Sequence, residues 1–156
     1  DLFDLNGDGR DDILLTADDR VSIIFSRPLH GPMETVASVS TPVEEGGYGK
    51  VYTADLIDTP REEIIGIEMK DHVMEVFLVG EDEEERPALL RFYNFKMFDQ
   101  EASLARRVNL DAPPEPRQLL AVDYNDDGRK EIVTVMHDNI VIYYPVEKEE
   151  TEEDEE

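Results

Sequence analysis

The sequence predicts an all-β fold of about three consecutive four-stranded antiparallel repeats, of which the first and the last are incomplete. Two observations predict it. A ten-residue acidic loop begins at Asp4 and returns at Asp55 and Asp123, with spacings of 51 and 68 residues. After each loop comes a run rich in Val, Ile, Phe and Tyr, then a short Asp- or Asn-containing turn and a second such run, which is typical of β-hairpins.

The repeat period indicates propeller blades. Periods near 50 residues, with several strands in each unit, are typical of β-propellers. A closed propeller has about 4–8 blades, so about three repeats are too few to close one. The chain is therefore expected to be a segment of a larger propeller, or to assemble with other chains. It begins inside the first repeat, so a segment upstream is expected.

Each predicted strand follows from its place relative to a loop. The predicted hairpins are Ile13–Thr16 with Val21–Ser26, Glu63–Met69 with His72–Val79, and Glu131–His137 with Ile140–Tyr144. Strands Lys50–Ala54 and Gln118–Val122 are predicted to lead into the second and third loops, and only residues 1–3 lead into the first. Strands Met33–Ser40 and Ala88–Phe95 are predicted to follow the first two hairpins. The repeats then span about 1–46, 47–110 and 111–146, and residues 96–110 form an insertion that is either a short helix or a strand.

The charge balance limits the classes of partner. The chain has 39 acidic and 15 basic residues and a formal net charge of −24. Residues 147–156 are almost entirely acidic and are predicted to be a disordered tail. This acidity argues against a nucleic-acid partner, whose phosphates need a basic surface, and against binding to an anionic membrane surface. No apolar run is long enough to span a bilayer, so no membrane insertion is expected. The absence of cysteine excludes disulfides and thiolate metal sites.

The first loop, residues 4–13, carries oxygen ligands at regular spacing. Side-chain oxygens stand at its first, third, fifth and ninth positions, and a backbone carbonyl is available at the seventh: Asp4, Asn6, Asp8, Asp12 and the carbonyl of Arg10. Gly9, at the sixth position, permits the positive φ of a sharp turn. Hard oxygens on a flexible loop suit Ca²⁺, which takes about 6–8 of them. The loop is predicted to bind Ca²⁺, and the alternative is a structural Asx-turn without metal.

The third loop, residues 123–132, repeats this pattern, and the middle loop has lost it. The predicted ligands of the third loop are Asp123, Asn125, Asp127, the carbonyl of Arg129, and Glu131. In the middle loop, Ile57 and Thr59 replace the ligands at the third and fifth positions, and Pro60 takes the place of the glycine. The middle loop is predicted to keep its shape and to bind no metal.

An EF-hand loop begins in the same way and must be distinguished. An EF-hand needs a bidentate acid at its twelfth position and a helix on each side. The twelfth position is Leu15 in the first loop and Thr134 in the third, and the segment after each loop is strand-like. The EF-hand interpretation is therefore excluded.

The loop pattern and its lead-in resemble those of the FG-GAP/VCBS repeat family. The shared features are the acid-x-Asn-x-Asp-Gly-x-x-acid-aliphatic pattern at 4–13 and 123–132, and the segment 47–55, where Tyr48-Gly49 stands in place of Phe-Gly. The resemblance implies blades of the integrin-α-type β-propeller, in which this loop joins the first two strands of a blade and its acids hold Ca²⁺. It also implies an extracellular or secreted protein.

The sequence predicts a non-enzymatic protein. It has no Gly-x-Ser-x-Gly motif and no cysteine nucleophile. Its histidines border predicted turns or loops and are expected at the surface, without a partner at metal or triad spacing. The predicted function is a calcium-binding scaffold for recognition or adhesion, with a protein or glycan ligand. The alternatives are an accessory portion of a secreted carbohydrate-active hydrolase or lyase, and an intracellular protein-interaction scaffold.

Overall fold

The computed structural model describes residues 2–26, 36–57, 61–97 and 115–145, which form three antiparallel sheets and, within these ranges, no helix. The first sheet contains β1 (Leu2–Phe3), β2 (Asp12–Ala17), β3 (Arg20–Ile24) and β4 (Val36–Ser40). The second contains β5 (Tyr48–Ala54), β6 (Glu63–Glu68), β7 (Val73–Glu81) and β8 (Pro87–Lys96). The third contains β9 (Gln118–Val122), β10 (Glu131–Val135) and β11 (Ile140–Tyr143).

Strands that follow one another in the chain are neighbours in every sheet. All three predicted hairpins and the predicted lead-in strands are present, and each acidic loop joins the first strand of a sheet to the second. The first sheet has a two-residue opening strand, and three strands are found in the third sheet within the ranges above. The all-β prediction is confirmed, whereas these ranges show no closed barrel or propeller. The insertion after Met97 and the acidic tail lie outside the described residues.

The second sheet is the middle layer of a stack. All six residues of β6 are buried, because both faces of this sheet are covered. Ile64 belongs to the core shared with the first sheet, and Ile65 and Ile67, which point the other way, belong to the core shared with the third. Burial of one such aliphatic side chain contributes about 1.5–3 kcal/mol, so the two cores hold the layers together.

Gly66 and Tyr48 fit together in the core between the first and second sheets. A Cβ atom on Gly66 would lie 2.7 Å from the Tyr48 ring, so this position of β6 has room for no side chain. The Tyr48 ring packs edge-on against Phe77, with a centroid distance of 6.3 Å. The absence of a side chain at Gly66 thus makes room for an aromatic pair at the centre of the core.

Glu75 is a fully buried carboxylate in the same interface. It accepts hydrogen bonds from the Tyr48 hydroxyl at 2.6 Å and from the Thr41 hydroxyl at 2.9 Å, and the Arg91 guanidinium lies 3.3 Å away. Burial raises the pKa of Tyr48, and the hydrogen bond to Glu75 raises it further. A buried charge is tolerated only when it is paired and hydrogen-bonded, and Glu75 meets both conditions.

His72 lies in a different environment from the one predicted for it. The expectation that His72 lies at the surface is wrong: it is 6% exposed and has a φ of 58°. His72 lies in the turn between β6 and β7, where the end of β8 comes close, and its carbonyl accepts the backbone N–H of Met97 at 2.8 Å. Asp11 and Asp126, the acids outside the predicted ligand set, are exposed.

No helix long and apolar enough to cross a bilayer occurs in the part of the chain that the structure describes.

Candidate metal-binding loops

The first loop is coiled around the carboxylate of Asp4. One oxygen, Oδ1, accepts the backbone N–H groups of Gly7 at 2.9 Å and Asp8 at 3.0 Å, and Oδ2 accepts that of Gly9 at 2.9 Å. Gly7 and Gly9 have φ values of 76° and 82°, in the left-handed region that favours glycine. The positive φ predicted at Gly9 is confirmed, and that at Gly7 is an additional finding.

The third and fifth positions of the first loop also turn inward. The side-chain oxygen of Asn6 accepts the backbone N–H of Asp8 at 2.9 Å, and Asp8 Oδ1 accepts that of Arg10 at 3.0 Å. The Asn6 amide nitrogen lies 3.4 Å from Asp8 Oδ2. Three oxygen-bearing side chains are therefore gathered on one side of the loop by its own backbone.

The third loop has the same arrangement. Asp127 N–H donates to Asp123 Oδ1 at 3.1 Å and to the Asn125 side-chain oxygen at 3.0 Å. Gly128 N–H donates to Asp123 Oδ2 at 2.9 Å, and Arg129 N–H donates to Asp127 Oδ1 at 2.8 Å. Four backbone hydrogen bonds of the first loop recur at equivalent residues, and φ is again positive at the fourth and sixth positions, where Asp126 has 61° and Gly128 has 86°. Aspartate tolerates this conformation better than most residues.

The ninth-position acids have a different environment from the other predicted ligands. Asp12, Glu63 and Glu131 are 0%, 1% and 0% exposed, and each begins the second strand of its sheet. Each accepts the backbone N–H of the second loop residue: Leu5 to Asp12 at 3.0 Å, Leu56 to Glu63 at 2.6 Å, and Tyr124 to Glu131 at 2.7 Å. These carboxylates therefore anchor the loops to the sheets, a role that loop spacing alone did not reveal.

The ninth-position acids of the first and third loops differ in the hydrogen bonding of their second carboxylate oxygen. Asp12 Oδ1 accepts the backbone N–H of Ser26 at 2.9 Å, whereas Glu131 Oε1 is buried and has no hydrogen-bond partner. Ile13 pairs with Ile24 and Ile132 with Tyr143, so the residue equivalent to Ser26 in the third sheet is Pro145. Proline has no N–H to donate, which explains the unpartnered oxygen.

The donors of both loops fit a hard cation. Each loop holds two carboxylates and an amide oxygen in place through backbone hydrogen bonds, and oxygens such as Asp4 Oδ2 and Asp8 Oδ1 accept one hydrogen bond each and retain a lone pair. Glu131 Oε1 adds a buried acceptor without a donor in the third loop, and such an atom costs free energy unless a ligand satisfies it. Within the described ranges, no group of three or more Asp, Glu, His or Cys side chains stands ready-made around one point.

The middle loop contacts both of the other loops. Asp55, at its first position, forms an ion pair with Lys130 of the third loop. The side chain of Arg61 lies beside the first loop, with its Nε 3.6 Å from where a Cβ of Gly7 would stand. The three loops are therefore neighbours at one end of the stack. Residues 58–60, which include Thr59 and Pro60, lie outside the described residues, so the shape predicted for this loop stays a prediction.

A cavity with aromatic walls opens between the second and third sheets, and sequence reasoning missed it. Its volume is about 230 Å³, and its lining includes Phe92, Tyr93, Phe95, Tyr143 and Tyr144. Phe95 and Tyr143 come from different sheets, and their ring centroids are 4.8 Å apart. The adjacent aromatic pairs in the sequence were a signal, but only the stacking of the sheets brings them together.

Comparison with known proteins gives no relative for this chain: no family model, no curated protein and no solved structure matches it.

Proposed function

We propose that the chain is a calcium-binding, non-catalytic segment of a β-propeller that serves as a rigid scaffold for recognition or adhesion in an extracellular protein. The observation that carries this proposal is the duplicated loop. Two segments, 119 residues apart at their first positions, hold equivalent Asp, Asn and Asp side chains with four equivalent backbone hydrogen bonds. The acids at the first and fifth positions hold the turn through backbone hydrogen bonds in both copies, and the recurrence of the whole oxygen set, with Asn at the third position, supports a cation site in addition to a turn.

Bound calcium would stabilise the folded state and would take no part in a catalytic step. In the first loop the backbone N–H of Asp8 donates to the Asp4 carboxylate, and in the third loop that of Asp127 donates to Asp123, so each loop holds two acidic residues close along its backbone. Like charges at short range destabilise the folded state, and a bound divalent cation removes this repulsion. Loops of modest affinity suit compartments where calcium is near millimolar, which supports an extracellular location.

The stack of sheets supports the propeller part of the proposal. Three consecutive antiparallel sheets, with strands in chain order, pack face to face, and each acidic loop lies between the first and second strands. This is the arrangement expected of adjacent blades. The aromatic cavity between the second and third sheets is a suitable place for a protein or glycan ligand, because exposed aromatic rings supply apolar contact area beside the Lys130 side chain.

Thermal unfolding with and without calcium tests this proposal. In excess calcium, each filled site is expected to add about 2.7 kcal/mol when the free ion is at about 100 times Kd, and to raise Tm by roughly 5–10 °C over a chelated sample. Asp8→Ala and Asp127→Ala are each expected to remove about half of the calcium-dependent increment.

Asp11→Ala is the matched control, because it removes an exposed acid from the same loop outside the ligand set. It is expected to keep the full increment. A wild-type Tm that is the same in calcium and in chelator would contradict the proposal.

A further inference from the structure

Asn6, at the third position of the first loop, is the one asparagine of this chain that precedes a glycine. The other asparagines precede residues that carry side chains: Asn94, Asn109, Asn125 and Asn139. Asparagine is thermolabile, because the following backbone nitrogen can attack the carbon of its side-chain amide. Gly7 has no Cβ atom and therefore leaves its nitrogen free to approach. The sequence thus makes Asn6 the asparagine with the least obstructed route to this reaction.

The first loop places a hydrogen-bonding group on each of the two reacting partners. The backbone N–H of Gly7 donates to Asp4 Oδ1 at 2.9 Å, so a carboxylate stands at the proton that the attacking nitrogen must lose. The backbone N–H of Asp8 donates to Asn6 Oδ1 at 2.9 Å and polarises the carbonyl that is attacked. Asn6 is partly exposed and Gly7 is exposed, so water reaches the pair. The loop therefore supplies a base and an oxyanion donor to its own backbone.

The third loop shares the oxyanion donor and differs in the other features. Asn125 Oδ1 accepts the backbone N–H of Asp127 at 3.0 Å, as its equivalent does in the first loop. The fourth position, however, is Asp126, which carries a side chain where the first loop has glycine. Within residues 123–132, the backbone groups that donate to Asp123 come from the fifth and sixth positions rather than from the fourth. The chain thus contains its own matched comparison for the first loop.

We propose that Asn6 is a site of self-catalysed deamidation. The bond between the Gly7 nitrogen and Asn6 Cγ forms, and the bond between Cγ and Nδ2 breaks. The proton of the Gly7 N–H passes through the Asp4 carboxylate to the leaving nitrogen, which departs as ammonia and leaves a succinimide ring. Water then opens the ring at one of its two carbonyl carbons: cleavage at Cγ gives aspartate, and cleavage at the α-carbonyl gives isoaspartate. Water is the only co-reactant, and nothing is oxidised or reduced.

Deamidation alters one of the two candidate calcium sites and leaves the other intact. Asn6 is a predicted ligand, and isoaspartate at its position inserts a CH2 group into the backbone, which shifts the third-position oxygen relative to Asp4 and Asp8. The first loop is therefore expected to lose calcium as the protein ages, whereas the third loop keeps it. This consequence rests on the calcium function proposed above, and the deamidation itself does not.

Peptide mapping by mass spectrometry tests the proposal on the full chain, incubated in chelator at neutral pH and physiological temperature. The conversion of amide to acid is expected at Asn6 and much more slowly at Asn125. Gly7→Asp copies the third loop, and the site has room for a Cβ atom, whose nearest neighbour would be Arg61 Nε at 3.6 Å. This variant is expected to slow the reaction at Asn6 to the rate seen at Asn125. The reciprocal Asp126→Gly is expected to raise the rate at Asn125 toward that of Asn6.

Asp4→Asn separates the effect of the folded loop from that of the sequence alone. In the folded chain, the loss of the base is expected to slow deamidation of Asn6 by about tenfold or more. In urea, where the loop hydrogen bonds are absent, the same substitution is expected to leave the rate unchanged. A wild-type chain that keeps Asn6 unmodified would overturn the proposal, and a folded Asp4→Asn variant with the wild-type rate would overturn self-catalysis.

Calcium titration of fresh and aged samples tests the consequence. The fresh chain is expected to bind at two sites and the chain modified at Asn6 at one, whereas aged Gly7→Asp is expected to keep both. Two sites in the modified chain would overturn the loss of calcium. A fresh, folded chain without any site would contradict the calcium function instead, and the mass spectra would still decide whether Asn6 is modified.

Discussion

Truncation of Phe77 to alanine is expected to lower the free energy of unfolding by about 3–5 kcal/mol, the range for a large aromatic removed from a packed core. Phe77 is fully buried between the first and second sheets, where it contacts the ring of Tyr48. The Arg91 guanidinium carbon lies 5.7 Å from its ring centroid, so a cation–π contact is lost as well. The neighbouring layers cannot close the gap, because both sheets are held by their own hydrogen bonds.

Denaturant unfolding at equilibrium measures this loss, and Phe92→Ala is its control. Phe92 is an aromatic residue on β8 in the same sheet, but it is 54% exposed. Its truncation is expected to cost less than about 1 kcal/mol, because most of its surface is already in water. Equal losses for the two variants would contradict the face-to-face packing of the first two sheets.

Replacement of Asp12 by alanine is expected to cost about 2–4 kcal/mol even in the presence of a chelator. Both of its carboxylate oxygens accept backbone N–H groups, one from Leu5 in the loop and one from Ser26 beyond β3. Removal of the acceptor leaves these donors without a partner in or near the core, and each buried unsatisfied group costs about 1–3 kcal/mol. The metal-free state should therefore lose stability.

The measurement is denaturant unfolding in chelator, with Asp11→Ala as the control. Asp11 precedes Asp12 in the chain and is exposed, so its loss is expected to change stability by less than about 0.5 kcal/mol. If Asp12 served as a cation ligand alone, its removal would relieve repulsion, and the chelated variant would be at least as stable as wild type. That outcome would contradict the anchoring role.

The strands were predictable because their evidence is local. Alternating aliphatic residues and the turn residues between them located every hairpin, and β9 has the predicted bounds of Gln118–Val122. Local patterns do not specify which faces of two sheets meet. The burial of all six β6 residues, and hence the layered order, depends on contacts between residues far apart in the chain.

The candidate metal-binding loops were predictable in part, because part of their evidence is also local. The first, third and fifth positions of the first and third loops accept hydrogen bonds from residues no more than five positions away, so their spacing carried the information. The ninth position lies in a strand, and the pleat of the sheet turns its side chain inward. The partner Ser26 of Asp12 is 14 residues away, and nothing in the loop sequence indicates it.

The burial of individual acids could not be predicted from the composition. With 39 acidic residues in the chain, any one acid is expected at the surface. Glu68 is nevertheless fully buried, where it accepts the backbone N–H groups of Lys70 and Asp71, each at 2.7 Å, and so holds the turn between β6 and β7. Only the packing of the turn distinguishes this glutamate from the solvated ones.

Calorimetric titration of the chelator-treated chain with Ca²⁺ tests the central claim most directly. Two sites per chain are expected, one at the first loop and one at the third, with one site lost in Asp8→Ala and the other in Asp127→Ala. A folded chain, verified by its circular dichroism spectrum, that binds no calcium would contradict the claim and leave both loops as structural turns.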